Sequence, residues 1–232
     1  MLSTSARIHS SIIKKKLFVF DFDGVIADSN NIKTEAFREI FEEFGSDVVN
    51  RILDHHKENA SMTRYEKFRY YYENYLNLEI SEDKVAQLGS KFSEIVLDKI
   101  INSPEIEGSW AFLEQLRALN KICAINSATP HDEINLIVKR RKLSKFFEKV
   151  YGSPSSKLDI LKSLMDDYGL ENDDLVFFGD DKSDKLAADR LNILFIGIGN
   201  KSKIKLFGKE KSCLSIDNFN EVDLVNYSHE SS

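Results

Sequence analysis

The sequence predicts an α/β protein: a doubly wound parallel sheet with an all-helical segment inserted after its first strand. Three observations point there. Short, unbroken apolar runs recur at Leu17–Phe20, Ile122–Ile125, Leu175–Phe178 and Ile193–Ile196, as expected of strands buried on both faces. Helical apolar patterns lie between the later runs, and strand–helix alternation is the signature of a parallel sheet. Residues 30–101 break the alternation, with helical periodicity and no strand run.

Composition bounds the answer. The chain has 232 residues, of which 42% are apolar, and 16 Phe with 8 Tyr supply bulk for a sizeable core. That suits one domain, or a core with a smaller insert. These proportions exclude a disordered chain, a collagen and a disulfide scaffold. A net charge of -6 argues against a general nucleic-acid partner, which would call for a basic surface. An acidic protein acting on anions must concentrate positive charge locally, from a few Lys/Arg or from a metal. Cys123 and Cys213 form no metal or disulfide pattern, and Cys123 reads as a small buried apolar residue. No apolar run approaches the roughly 18 residues of a membrane helix. Residues 1–16 hold Arg7, Lys14, Lys15 and Lys16, no acid and no secretory apolar stretch. They read as a frayed, solvated N-terminus of a cytoplasmic protein.

The elements follow in order. Leu17–Phe20 is a strand ended by Asp21 and Gly24. In the insert, Ile32, Ala36, Phe37, Ile40, Phe41 and Phe44 recur at helical spacing. So do Phe68, Tyr71, Tyr72 and Tyr75, and then Val85, Leu88, Phe92, Ile95 and Val96. The aromatic stripe reads as helix packing rather than a binding platform. Residues 55–64 read as a loop between two of these helices, with His55 and His56 solvated. Thr63 suits an N-cap, with Glu66 completing a capping box. After the insert, Trp110, Leu113, Leu116 and Leu119 form one stripe, Ile134, Ile137 and Val138 a second, and Leu158, Leu161, Leu164, Met165 and Tyr168 a third. Val150-Tyr151 reads as a further short strand, and Lys139–Lys142 as a solvated helix face.

The chemistry gathers where strands end. Asp21-Phe22-Asp23-Gly24 closes the first strand, and in doubly wound sheets ligands bind beyond the carboxyl ends. These acids could equally cap a turn. A second cluster, Gly179-Asp180-Asp181 with Asp184 one helical turn on, closes another buried run. Converging carboxylates repel unless a cation neutralises them, and an oxygen-only set suits Mg²⁺, which also coordinates phosphate. Ile125–Pro130 offers hydroxyls, backbone N–H groups and a helix start suited to anions. Lys157 opens another helix at the same sheet edge.

Four motifs in order, Asp21–Ser29, Asn126-Ser127, Lys157 and Gly179–Asp184, resemble those of the haloacid dehalogenase superfamily of phosphohydrolases. The resemblance spans about residues 17 to 200. It implies a Rossmann-like catalytic core at 17–29 and 102–226 and a helical cap at 30–101, while the ends, 1–16 and 227–232, are expected to be flexible. By position it makes Asp21 the nucleophile forming an aspartyl-phosphate and Asp23 the general acid/base. Ser127 and Lys157 would hold the phosphoryl oxygens. Asp21, the Asp23 backbone carbonyl and Asp180 would bind Mg²⁺. Asp184 and Asp181 would support the metal and orient Lys157. Members cleaving C–halogen or C–P bonds resemble one another in lacking the second acid, so Asp23 disfavours those reactions. Sugar phosphomutases commonly carry His where Lys33 stands here. Loop 55–64 resembles the specificity loop of the beta-phosphoglucomutase-like subgroup, which makes Arg64 and Thr63 candidate substrate contacts. The expectation is a Mg²⁺-dependent phosphatase with a small phosphorylated metabolite as partner, no nucleic acid and no membrane, as a monomer or weak dimer. A phosphosugar mutase and a non-catalytic binding protein of the same fold are the alternatives.

Overall fold

The computed structural model describes residues 4–59, 62–199, 214–222 and 224. Expectations for the 227–232 tail, for Cys213 and for residues 60–61 of the 55–64 segment lie outside the described residues. The chain divides into two compact units, one of residues 1–28 with 104–232 and one of residues 29–103.

The larger unit opens with a helix, α1 (Thr4–Ile12), where a frayed terminus was expected. Ile8 and Ile12 stand one turn apart and are fully buried. The Lys121 ammonium secures the end of this segment by donating to the carbonyls of Ile13 and Lys15, each at 2.8 Å. The basic composition concealed a two-residue apolar stripe, and two of the lysines beyond it are tethered: Lys15 donates to the Asp173 carbonyl at 2.6 Å, and Lys16 pairs with Asp174 at 3.0 Å.

Strand β1 (Leu17–Phe20) follows. The smaller unit then holds α2 (Asn30–Phe41), α3 (Ser46–Glu58), α4 (Arg64–Tyr71) and α5 (Glu82–Ile101). The chain returns through α6 (Ser109–Ala118), β2 (Ile122–Pro130), α7 (His131–Arg140), β3 (Lys149–Ser153) and α8 (Lys157–Tyr168). It closes with β4 (Leu175–Gly179), α9 (Lys182–Arg190), β5 (Leu194–Ile198) and β6 (Leu214–Ile216). The six strands form one parallel sheet in the order β3-β2-β1-β4-β5-β6. β6 carries only three residues and gave no legible run in the sequence.

Alternation along the strands sorts the core into two layers. Phe18, Phe20 and Phe178 meet Phe112 of α6, and Phe20 and Phe178 also meet Phe219, with Phe20 and Phe178 stacked at 4.9 Å. Leu17, Val19, Leu175 and Phe177 pack with Ile160, Leu161 and Leu164 of α8 and with Ala187 and Ala188 of α9. Both faces of β1 are therefore buried, which is why its four residues read as an unbroken apolar run. The α6 stripe differs from expectation. Phe112, Leu113 and Leu116 form the buried face, while Trp110 and Leu119 are 36% and 39% exposed. In the basic run, Arg141 is buried rather than solvated. Burial disfavours its charge, while Glu105 and Asp23 favour it. Cys123 is buried as expected, and burial pushes its thiol up to about 12.

The smaller unit packs around aromatic rings. Phe37 of α2 contacts Phe92 of α5 at 4.8 Å and Phe68 of α4 at 5.7 Å, and Phe41 meets Tyr71 at 5.6 Å. The stripe at residues 68–75 is therefore helix packing. Gly89 of α5 has no Cβ because one would lie 2.4 Å from the Tyr65 ring. The expected loop at residues 55–64 begins later than its composition suggested. His55 and His56 belong to the last turn of α3. The α3 face Val49, Ile52, Leu53 and His56 is buried, and the imidazole takes the last place on that apolar stripe.

Candidate active site

The site residues are set by strand ends. The Asp21 N–H continues the sheet ladder to the Phe178 carbonyl at 2.9 Å. The Asp21 Oδ1 accepts from the Phe22 N–H at 2.7 Å, which orients the carboxylate. The chain then coils into a tight turn, with the Ile26 and Ala27 N–H groups donating to the Phe22 carbonyl. Gly24 takes a left-handed φ of +76°, a conformation open to glycine at little cost. This turn returns Asp23 to the site side, where it is 8% exposed.

β4 delivers the second group of acids. Gly179 ends the strand where a Cβ would lie 2.4 Å from the Asp184 Cβ. The missing side chain lets Asp184 tuck against the strand end, where it is fully buried. Asp181 is the N-cap of α9, accepting from the Ser183 N–H at 2.8 Å, while the Asp184 Oδ2 accepts from the Asp181 N–H at 3.3 Å. Carboxylate oxygens of Asp21, Asp180 and Asp184 all lie within 4.8 Å of one another.

Lys157 is the first residue of α8, whose N-cap is Ser156. The Asn126 Nδ2 of β2 donates to the Lys157 carbonyl at 2.9 Å, tying the helix start to the neighbouring strand. The Lys157 ammonium lies 3.0 Å from the Asp21 Oδ2 and is paired with the Asp184 Oδ1. Burial alone would lower its pKa, but Asp184 and Asp21 override burial and raise it. Lys157 is therefore a fixed cation. Burial raises Asp21 to about 6, Lys157 opposes that rise, and Asp180 and Asp23 add to it. Burial likewise holds Asp184 well above the usual carboxylate range, against the pull of Lys157. Negative charge at this strand edge exceeds what one lysine neutralises. A small hard cation fits the surplus and the oxygen-only donors.

β2 contributes Ser127, 1% exposed, and Thr129, 2% exposed. The Ser127 Oγ accepts from the Thr129 N–H at 3.1 Å, and the Thr129 Oγ1 donates to the Asp23 Oδ2 at 3.2 Å. Thr129 was not legible as a site residue. It lies in the segment expected to offer hydroxyls, but the register between β2 and β3 shifts between Asn126 and Pro130. Simple alternation therefore does not say which way it faces.

The structure thus brings Asp21, Lys157, Asp180 and Asp184 together, joins Asp23 to β2 through Thr129, and uses Asp181 as a helix cap. Thr63 and Arg64 belong to the other unit. Thr63 is the N-cap of α4, with both halves of its capping box to Glu66 formed. Arg64, at the end of the segment expected as a loop, is the first residue of α4. It is 7% exposed, donates to the Ser93 Oγ at 2.7 Å and lies over the Phe92 ring at 4.4 Å. His56 of the same unit contacts the buried Lys67, with 2.8 Å between its Nδ1 and the ammonium. Burial and then Lys67 lower the imidazole to about 3.

A family model described as haloacid dehalogenase-like hydrolase matches residues 18–198. No curated protein matches the chain. Among solved structures, the chain is similar to a beta-phosphoglucomutase from Clostridium difficile, with 20% identity and a TM-score of 0.73, covering 93% of this chain and 96% of that one. It is similar to a HAD hydrolase, family IA, variant 3, from Entamoeba histolytica, with 17% identity and a TM-score of 0.73, covering 90% and 96%. It is also similar to a predicted phosphoglycolate phosphatase from Haemophilus somnus, with 15% identity and a TM-score of 0.64, covering 94% and 99%.

Proposed function

The chain belongs to the haloacid dehalogenase-like hydrolase family, and from that premise we propose that it hydrolyses a small phosphomonoester through an aspartyl-phosphate on Asp21. The observation that carries this reading is the Lys157 ammonium, 3.0 Å from the Asp21 Oδ2 at the edge shared with Asp180 and Asp184. A carboxylate nucleophile is repelled by a phosphate dianion unless fixed positive charge stands beside both. Asp21 attacks phosphorus as the ester P–O bond breaks, and Asp23 gives its proton to the departing alkoxide. Asp23, now a carboxylate, takes a proton from the water that attacks phosphorus, and the Asp21–phosphate bond breaks to release inorganic phosphate. Ser127 and Lys157 hold the phosphoryl oxygens. Asp21, Asp180 and the Asp23 carbonyl would hold Mg²⁺, which would supply further neutralisation of phosphoryl charge.

The substrate class is a small phosphorylated metabolite such as a sugar phosphate or phosphoglycolate, in keeping with the names of the structural neighbours. Asp23 supports C–O–P cleavage over C–halogen or C–P cleavage, because an alkoxide leaving group needs a proton. The test is phosphate release from a metabolite panel and a chromogenic ester, with Mg²⁺ and with EDTA. Release that depends on Mg²⁺ and vanishes in Asp21→Asn supports the reading. No release from any ester in the presence of Mg²⁺ would sink it in favour of a binding protein. Isomerisation of glucose-1-phosphate with a bisphosphate activator would mark a mutase instead, and Lys33 at the position of the mutase histidine weighs against that outcome.

A further inference from the structure

We propose that Thr129 is a positioning residue for Asp23, holding one carboxylate oxygen so that the other serves the proton transfers. The inference rests on the phosphatase reading and deepens it. Its basis is a chain of contacts inside the larger unit. The Thr129 hydroxyl donates to the Asp23 Oδ2 at 3.2 Å, and the Thr129 N–H donates to the Ser127 Oγ at 3.1 Å. One residue therefore links the serine that grips phosphate to the acid that protonates the leaving oxygen.

The backbone at Thr129 is itself held. At Gly152 of β3 a Cβ would lie 2.3 Å from the Thr129 carbonyl oxygen and 2.8 Å from the His131 Cα. Glycine there lets β3 approach closely at the point where its register with β2 shifts. Thr129 is β-branched, so its χ1 has few options, and at 2% exposure it has little room to turn. The hydroxyl is thus aimed by a packed strand rather than by a mobile loop. Asp23, in contrast, sits on the turn after β1. An acid that must meet first an ester oxygen and then a water gains from one fixed oxygen, since proton transfer needs hydrogen-bond geometry.

The proposal separates from a purely structural role by leaving-group dependence. In Asp21 phosphorylation, reported by kcat/KM, an alkyl phosphate needs the Asp23 proton and a nitrophenyl phosphate needs it far less. Thr129→Val keeps the shape and removes the donor. It is expected to lower kcat/KM for the alkyl ester by about 10- to 100-fold, the range for losing a hydrogen bond to a charged group. The nitrophenyl ester should lose less than threefold, roughly, because little proton transfer is at stake. The inhibition constant of inorganic phosphate should not move, and Thr129→Ser should recover most of the alkyl rate. If Thr129→Val fails to fold, Thr129→Ala compared with Thr129→Ser carries the same comparison. Equal losses on both esters, an unchanged alkyl rate, or a Ser variant no better than Val would each overturn the proposal. Wild-type protein inactive on every ester would overturn the phosphatase reading instead, which keeps the two failures apart.

Discussion

The Lys157 side chain is 10% exposed and faces two carboxylates, one of them fully buried. Removing one partner of such a group leaves charge buried without compensation, which costs about 3–5 kcal/mol. Lys157→Ala is expected to lose activity and also that stability, read by urea unfolding without divalent ions. Unchanged stability would mean that water already screens the cluster. Asp21 behaves oppositely. Its folded pKa of about 6 exceeds the ordinary 3.8, so the folded state binds the proton more tightly than the unfolded chain. Metal-free stability from this group is present below pH 3.8 and declines as pH rises to about 6. Asp21→Asn removes that decline. It should abolish turnover and leave the metal-free protein at least as stable as wild type at pH 7, where a lower urea midpoint would contradict the charge argument. Asp21, Asp23, Asp180 and Lys157 were legible because the acids follow closely on buried strand runs and Lys157 opens a helix. Thr129 was not, because its direction depends on a register shift.

At the scale of elements, two places show packing deciding chemistry. β4 ends on Gly179 because Asp184 occupies the space of its absent Cβ. Gly179→Ala should therefore displace Asp184 and reduce activity more than the exposed substitution Glu79→Ala, with assay and thermal melts as the check. In the other unit, α3 buries His56 on its apolar face. The folded imidazole protonates only at about 3, against an ordinary 6.5, through burial and then the charges of Lys67, Lys33, His55 and Lys57. The unfolded chain takes up that proton first. Stability from this contact is complete above pH 6.5 and is lost as pH falls from there toward 3. His56→Gln should flatten the acid limb of stability against pH, and an unchanged slope would assign acid sensitivity elsewhere. The boundary of α3 was misread because His-His-Lys-Glu-Asn is loop-like in composition, whereas His56 lies one turn beyond Ile52 and Leu53. Arg64 closes the segment expected as a loop, yet it opens α4, and Ser93 and Phe92 reach it from α5.

For the molecule as a whole, a cation that binds only the folded state adds stability by mass action, about 2.7 kcal/mol at a hundredfold excess over Kd. Mg²⁺ should raise the melting temperature of the wild-type protein, and Asp180→Asn should remove the increment. An equal rise in the variant would place the ion elsewhere. The larger pattern was open to reading because it is local. Buried parallel strands leave unbroken apolar runs, strand ends leave acids, and a helical insert leaves a different period. Among the described residues, no helix is long and apolar enough to cross a membrane, as the absence of long apolar runs implied. What escaped the sequence is what depends on contacts between distant segments. α1 is held by Lys121, Arg141 is drawn into the core near Glu105 and Asp23, and Asp23 is reached by a hydroxyl on β2. Periodicity records which face of an element is buried, because burial repeats with the helical or strand turn. It does not record which partner fills that face, because a single hydrogen bond between distant residues has no period.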